Sequence, residues 1–167
     1  MHDELTRVDI EKMQEEIDYR IQVLRPQLIE EVQTTRAFGD LSENFEYKEA
    51  KRAKNRNESR IRYLQNMVKT AKVITVEKAE DAIGLFDKVT MFNEKLGKEQ
   101  KIQLVTTLRQ DALKGLISKE SPVGKALMGR KVGERVLIRV SDTMQYYVVI
   151  RTIEKGEDDK NMEISRY

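Results

Sequence analysis

Two apolar stripes with helical spacing constrain the fold of this chain more than any other feature. The first has steps of 3, 4, 4, 3, 4 and 4 residues, along Ile10, Met13, Ile17, Ile21, Leu24, Leu28 and Val32. The second has steps of 4, 3, 4 and 3 residues, along Asn57, Ile61, Leu64, Val68 and Ala71. Side chains with this spacing line one face of a helix and favour packing against a second helix in a coiled coil.

The segment between the stripes is short and contains Gly39, a residue typical of helix ends. Two helices joined by a short link pack antiparallel, so the first half of the chain is predicted to be a helical hairpin. Thr6 or Asp9 is the expected N-cap of the first helix. Pro26 lies inside the first stripe, and because the pattern resumes at Leu28 we expect a kink there rather than an end.

The second half changes to short segments that are rich in β-branched residues. Four of them are predicted to be strands: "DKVTMFN", "QKIQLVTTL", "ERVLIRV" and "YYVVIRTI". The segments "NEKLGKEQ" and "RKVGER" resemble hairpin turns, and "EKGEDDKNMEISRY" is either a last strand or a loose tail. In "SPVGKALMG", Ser121 as N-cap, Pro122 at the first helical position and Gly129 as a stop indicate a short helix.

The predicted fold class is therefore α+β, in two domains. Residues 1–76 form an N-terminal antiparallel coiled-coil hairpin, and residues 77–167 form a small domain with an antiparallel β-sheet and one short helix.

Composition excludes several classes of function. The chain has no Cys, which rules out a disulfide framework and a thiolate metal site. Its single His is at position 2, so a His-based catalytic triad is not credible. No glycine-rich phosphate loop follows a strand. The acidic start lacks an apolar signal region, and no run approaches the roughly 18 apolar residues of a membrane helix. A cytoplasmic location is expected.

Charge is divided unequally between the two helices. Residues 1–31 carry four basic and nine acidic side chains, whereas residues 48–72 carry nine basic and two acidic ones. One interpretation is attraction between the helices of the hairpin. The other is a basic face for RNA or an acidic protein, with Lys51, Arg52, Lys54 and Arg56 nearest the turn.

The turn itself, in "TTRAFGDLSENFEY", carries Asp40, Glu43 and Glu46 at a spacing of three residues. One interpretation is a capping box, with Asp40 as the N-cap of the second helix and Glu43 at its third position. The alternative starts from ligand chemistry, because two carboxylates suit Mg²⁺, which prefers oxygen ligands. Two exposed acids hold Mg²⁺ poorly, so the hairpin would have to carry them to a site that already has a metal and a phosphate.

Three stretches resemble the Gre transcript cleavage factors, the GreA/GreB family. They are "LTRVDIEKMQEEIDYRIQVLRPQLIEEV", "RAFGDLSENFEYKEAKRAKNRNESRIRYL" and "ISKESPVGKALMGRKVGERVLI". The resemblance covers most of the chain in order, and its "GDLSEN.EY" motif is specific. The family commonly has a small residue at the position of Phe45.

This resemblance implies an FKBP-like C-terminal domain and binding to bacterial RNA polymerase, with the coiled coil in the secondary channel. It implies that Asp40 and Glu43 help hold a second Mg²⁺ in the polymerase active site, next to the 3′ end of the nascent RNA. The chain would then be no enzyme itself but would stimulate the polymerase to cut backtracked RNA. We expect a monomer that does not bind a membrane.

The resemblance also assigns supporting positions. Residues around the tip acids are Ser42, Asn44, Glu46 and Tyr47, the basic patch is Arg36, Lys51 and Arg52, and polymerase docking involves Ser121 and Pro122. Three alternatives stay open: a channel binder of the same fold that modulates or inhibits the polymerase without stimulating cleavage, an isomerase suggested only by the FKBP-like fold, and a plain coiled-coil adaptor.

Overall fold

The structure, a computed structural model, describes residues 2–39, 44–77 and 79–165. Packing divides the chain into two compact units. A helical unit contains residues 10–71, and a sheet unit contains residues 3–9 together with the chain from residue 72 onward. The predicted boundary between residues 76 and 77 stays a prediction. No helix in the described ranges is long and apolar enough to cross a membrane.

Both stripes form helices, and together they make the predicted hairpin. The helices are α1 (Arg7–Tyr19), a π-helical turn (Arg20–Leu24), α2 (Arg25–Arg36) and α3 (Phe45–Thr70). The predicted seam is buried at Met13, Ile17, Ile61 and Leu64. Pairing of residue 16 with 60, 20 with 57 and 35 with 44 confirms that the helical segments run antiparallel.

The chain stays helical through Pro26, as predicted, and a π-turn provides the local adjustment. Pro26 has no N–H, so it cannot donate the hydrogen bond that would continue the helix. Just before it, the Arg25 N–H donates to the Arg20 carbonyl, five residues back. The same carbonyl accepts a hydrogen bond from Asn57 Nδ2 at 3.3 Å. A polar residue in the apolar seam therefore satisfies the backbone where the helix changes its period.

Helix α1 begins with a capping box formed by Thr6 and Asp9, the two residues predicted as alternative N-caps. The Asp9 N–H donates to Thr6 Oγ1 at 3.3 Å, and the Thr6 N–H donates to Asp9 Oδ2 at 3.1 Å. Thr6 is thus the N-cap, and Asp9 is the reciprocal residue at the third helical position.

The predicted capping role of Asp40 is wrong. Helix α3 begins at Phe45 and its N-cap is Asn44, whose Oδ1 accepts a hydrogen bond from the Tyr47 N–H at 3.0 Å. Asp40 and Glu43 therefore precede the helix and are neither its N-cap nor its third residue. Asn and Asp are about equally good N-caps, so composition alone did not decide between the two positions.

The sheet unit confirms the predicted strands, and with the hairpin it confirms the α+β fold class. A two-residue parallel pair joins β1 (Glu4–Leu5) to β2 (Lys72–Val73). The main sheet has the order β5-β4-β3-β7-β6, in which the strands are β3 (Lys88–Asn93), β4 (Lys98–Val105), β5 (Leu116–Ser118), β6 (Arg135–Arg139) and β7 (Gln145–Glu154). Strand β5 runs parallel to β4, so the sheet is mixed rather than wholly antiparallel.

Helix α4 (Pro122–Leu127) packs on one face of this sheet, over a core that includes Val89, Leu104, Leu127, Val136 and Ile150. Ser121 caps this helix as predicted, and Gly129 has a φ of +80° at its end. "NEKLGKEQ" is the predicted hairpin turn between β3 and β4. "RKVGER" is not one: it leads from α4 into β6, and the hairpin between β6 and β7 turns at residues 140–144.

The end of the chain forms no strand within its described part, and it packs against the sheet unit. The Gly156 N–H donates to Asp87 Oδ1 at 3.0 Å, and Lys155 forms an ion pair with the same carboxylate. The Ser165 N–H donates to the Leu108 carbonyl at 2.6 Å. The segment after β7 is therefore neither the last strand nor the loose tail that the sequence predicted. It forms no strand in its described part but is held against the sheet by hydrogen bonds.

A buried cation joins three parts of the sheet unit. The side chain of Arg109, which is fully buried, lies 2.5 Å from Asp9 and 2.5 Å from Asp158, measured from nitrogen to oxygen. It also donates to Thr6 Oγ1 at 3.2 Å, and its guanidinium carbon lies 4.8 Å from the centre of the Phe86 ring. The start of α1, a short 3₁₀ turn and the C-terminal segment thus share one charge cluster.

Candidate functional site

The tip of the hairpin, between α2 and α3, is the first part of the candidate site. Asn44 fixes one side of it by two hydrogen bonds. Its Oδ1 caps α3, and its Nδ2 donates to the Thr35 carbonyl in the last turn of α2 at 2.6 Å. One amide side chain therefore ties the end of α2 to the start of α3.

Three of the predicted tip residues, Asp40, Ser42 and Glu43, lie outside the described residues. The other predicted tip residues follow directly. Glu46 is exposed in the first turn of α3, where a negative charge favours the helix dipole. Tyr47 is half-buried.

Two exposed phenylalanines flank the tip acids, and the functional interpretation of the sequence did not include them. Phe38 is 61% exposed and Phe45 is 79% exposed, which is unusual for a side chain of this size. Lys48 Nζ lies 5.7 Å from the centre of the Phe45 ring, within the range of a cation–π contact. The sequence did contain a signal for them, since aromatic residues stand on both sides of a polar turn. A turn with only a structural role does not need such residues.

The basic patch lies on the first turns of α3 and at the end of α2. Lys51 Nζ is 5.4 Å from the centre of the Tyr47 ring, and Arg52 forms an ion pair with Glu49 of its own helix, at 3.7 Å. Arg36 is exposed in the last turn of α2. Within the described ranges, none of these three cations forms an ion pair with an acid of the first helix.

Ion pairs between the helices exist, but they are found farther from the tip. Arg25 makes two hydrogen bonds to Glu58, at 2.8 and 2.9 Å, and these lower the pKa of the Glu58 carboxyl. Arg60 of α3 donates to Glu16 across the hairpin, and Arg20, four residues along the same segment, donates to the same carboxylate. Burial alone would raise the pKa of Glu16, but the two arginines outweigh it and lower that pKa. Attraction between the helices thus accounts for the middle of the hairpin and leaves the basic patch at the tip unexplained.

The predicted docking residues lie at the start of α4 in the sheet unit. Ser121 Oγ accepts a hydrogen bond from the Gly124 N–H at 3.0 Å and donates to the Ser118 carbonyl at 2.7 Å. A Cβ on Gly124 would overlap that carbonyl, so only glycine fits at this position. Pro122 is exposed at the first helical position. Ser121 therefore has a structural task, whereas the Pro122 ring is free for contact.

Comparison with protein families gives two matches that together cover most of the chain. Residues 4–73 match the model described as "Transcription elongation factor, N-terminal". Residues 68–155 match the model described as "Transcription elongation factor, GreA/GreB, C-term".

Two relatives agree with these models. Transcription elongation factor GreA of Caldanaerobacter subterraneus subsp. tengcongensis is 41% identical over 137 residues, which are 81% of this chain and 87% of the relative. The protein of the same name from Thermoanaerobacter pseudethanolicus is 40% identical over 137 residues, with the same coverage of 81% and 87%. The solved structure of the transcription factor Gfh1 is 22% identical, covers 92% of this chain and 97% of its own, and has a TM-score of 0.45.

Proposed function

We propose that this chain, which belongs to the GreA/GreB family of transcription elongation factors, binds a bacterial RNA polymerase. It inserts its hairpin into the secondary channel and stimulates cleavage of backtracked RNA. In this proposal the nuclease activity belongs to the polymerase, and the chain acts on the 3′ end of the nascent RNA. It works as a monomer. Because its partner is a bacterial RNA polymerase, it acts in the cytoplasm.

One observation carries the proposal for the tip: Asn44, not Asp40, caps α3. Helix capping therefore no longer accounts for Asp40 and Glu43, although the chain places both carboxylates at its turn. Two carboxylates fit Mg²⁺ as oxygen donors but leave most of its ligand positions open. We propose that Asp40 and Glu43 hold Mg²⁺ only together with groups of the polymerase and the RNA.

The tip residues have different proposed roles around that ion. When bound, Mg²⁺ would stabilise negative charge at the scissile phosphodiester and favour the attack of water. Asp40 and Glu43 supply its carboxylate oxygens. Asn44 ties the end of α2 to the start of α3. The alternative of a binder that does not stimulate cleavage is not favoured, because both acids are retained.

The basic patch is proposed to contact RNA phosphates or an acidic channel wall. Changing Arg36, Lys51 and Arg52 together to alanine should weaken stimulation on long backtracked RNA and reduce its salt dependence. If all three cations contact phosphates, the slope of log affinity against log salt should fall by about 2, at roughly 0.7 per contact with a single strand. The measurement is cleavage rate and binding at several salt concentrations.

A charge-matched variant provides the control for this prediction. Arg62, Lys69 and Lys72 changed to alanine remove the same number of positive charges, two from the second half of α3 and one from β2. This variant should keep most of the salt slope. Equal loss in both triple variants would assign the effect to net charge and contradict a local patch.

Docking on the polymerase is proposed to involve Ser121 and the exposed ring of Pro122. Pro122→Ala should leave the melting temperature almost unchanged, because alanine is an excellent helix former. The N–H that alanine adds lies in the first helical turn, where N–H groups have no partner within the helix. It should weaken binding of the full chain to core polymerase about tenfold, measured by competition with labelled wild-type protein. Val132→Ala, at a residue that is 58% exposed in the same unit, is the control and should bind normally.

A further inference from the structure

The solvent side of the five-stranded sheet contains a groove of about 220 Å³ that the proposed function does not use. Three lysines line it, Lys88 on β3, Lys101 on β4 and Lys114 in the turn before β5, and we call it the lysine groove. Glu154 is its one acidic lining residue. The lining residues thus carry a formal charge of +2, and Lys114 also lies 4.0 Å from Asp111 outside the lining.

Strand register places two of these lysines close together. Lys88 pairs with Gln103, and Thr90 pairs with Lys101, so Lys88 and Lys101 are diagonal neighbours on adjacent strands. Side chains in this relation are separated by about 7–8 Å, too far for contact and near enough to share one ligand. Their exposed positions alternate with the buried Val89, so both point away from the core.

Gly115 positions the third lysine. It has a φ of +74°, and a Cβ there would lie 3.2 Å from the Lys101 carbonyl oxygen. Its own carbonyl accepts the Gln103 N–H at 2.8 Å. Glycine thus lets the turn that carries Lys114 lie directly against β4, which closes one side of the groove.

The lysines of the two central strands are not neutralised. Within the part of the chain that the structure describes, neither Lys88 nor Lys101 forms an ion pair, although Glu154 stands opposite Lys88 across β3 and β7. Thr90 and Thr152, also opposite each other, add hydroxyl groups that can donate hydrogen bonds to an anion. Like charges repel at this distance, and an anion of two or more charges relieves that repulsion.

We propose that the lysine groove binds phosphate groups, from either a free polyphosphate or the backbone of a nucleic acid. Ammonium groups on flexible stems bind phosphate as point charges, and hydroxyls complete its hydrogen bonds. The volume corresponds to about seven water molecules at roughly 30 Å³ each, which admits phosphate groups but not a folded partner. No residue of α4 lines the groove.

The test measures binding to the full-length chain by calorimetry at low salt, with two probes, inorganic tripolyphosphate and an eight-nucleotide RNA. Lys88→Ala with Lys101→Ala should weaken saturable binding of the preferred probe at least tenfold. Lys95→Ala with Lys98→Ala, at exposed lysines outside the groove lining, removes the same charge and should stay within about twofold of wild type. Amide resonances of Thr90 and Gly115 should shift on titration.

The two probes identify the source of the phosphate. Binding of tripolyphosphate that depends on Lys88 and Lys101 supports a polyphosphate or nucleotide ligand, and such binding of RNA alone supports a polynucleotide. Equal loss in the two double variants would show nonspecific attraction and overturn the proposal. So would the absence of saturable binding by both probes, provided that the melting temperatures of all variants match wild type.

Discussion

Asp40→Asn and Glu43→Gln should each remove most of the stimulated RNA cleavage while leaving polymerase binding and the melting temperature unchanged. Amides keep the size of the side chains but are much poorer Mg²⁺ ligands than carboxylates. Because Asn44 caps α3, neither change touches the cap of that helix. Loss of even an indirect metal contact commonly costs 10–100-fold in metal affinity or activity, so at least about a tenfold fall in cleavage rate is expected.

Magnesium concentration and Asn44 supply the controls for this expectation. Raising Mg²⁺ should restore part of the activity of either amide variant, because a weaker site is filled at higher concentration. Asn44→Ala should instead lower both stability and activity, since it removes the cap and the bond to Thr35. Normal cleavage by both amide variants would contradict the metal role of Asp40 and Glu43.

Arg109→Ala should destabilise the sheet unit by about 3–5 kcal/mol, the usual cost of breaking a buried ion pair by removing one partner. The substitution leaves the fully buried Asp9 carboxylate without its cation, 2.5 Å away in the native protein. It also removes the link to Asp158 in the C-terminal segment. Chemical denaturation of the full chain, followed by a probe in the sheet unit, measures the change.

Two further variants separate burial from charge. Combining Arg109→Met with Asp9→Asn removes the cation and its fully buried partner and should recover part of the loss, because of the two carboxylates that Arg109 contacts only the partly exposed Asp158 is left without its cation. Arg135→Ala breaks the exposed ion pair between Arg135 and Glu94, which also joins an arginine to a carboxylate. It should lower the free energy of unfolding much less than Arg109→Ala does. Similar losses for Arg109→Ala and Arg135→Ala would refute the buried cluster as a source of stability.

Periodicity predicted most of the fold. Seam residues such as Met13 and Leu64 are buried because a repeat of 3.5 residues leaves few other arrangements. Local turn chemistry predicted α4, where Ser121, Pro122 and Gly129 each have one conformational preference. "RKVGER" was assigned wrongly, because a Gly-containing turn is equally compatible with a helix-to-strand connection. The three residues of β5 were too few to show any period.

Residue type alone did not predict where α3 begins. Asp40 and Asn44 are both good N-caps, and only the observed helix start at Phe45 decides between them. The exposure of Phe38 and Phe45 depends on tertiary structure, since apolar residues near helix ends are often buried. Burial of Arg109 had no sequence signal, because its partners Asp9 and Asp158 are 100 and 49 residues away along the chain.

Stimulation of RNA cleavage by this chain is measured most directly on elongation complexes stalled in a backtracked state. Their RNA is labelled at the 5′ end, and shortened products are followed over time in Mg²⁺, with and without the wild-type chain. The proposed function predicts faster formation of shortened, 5′-labelled RNA with the wild-type chain and little acceleration with Asp40→Asn. Tight binding of the chain with an unchanged or slower cleavage rate would contradict it and identify a channel binder that does not stimulate cleavage.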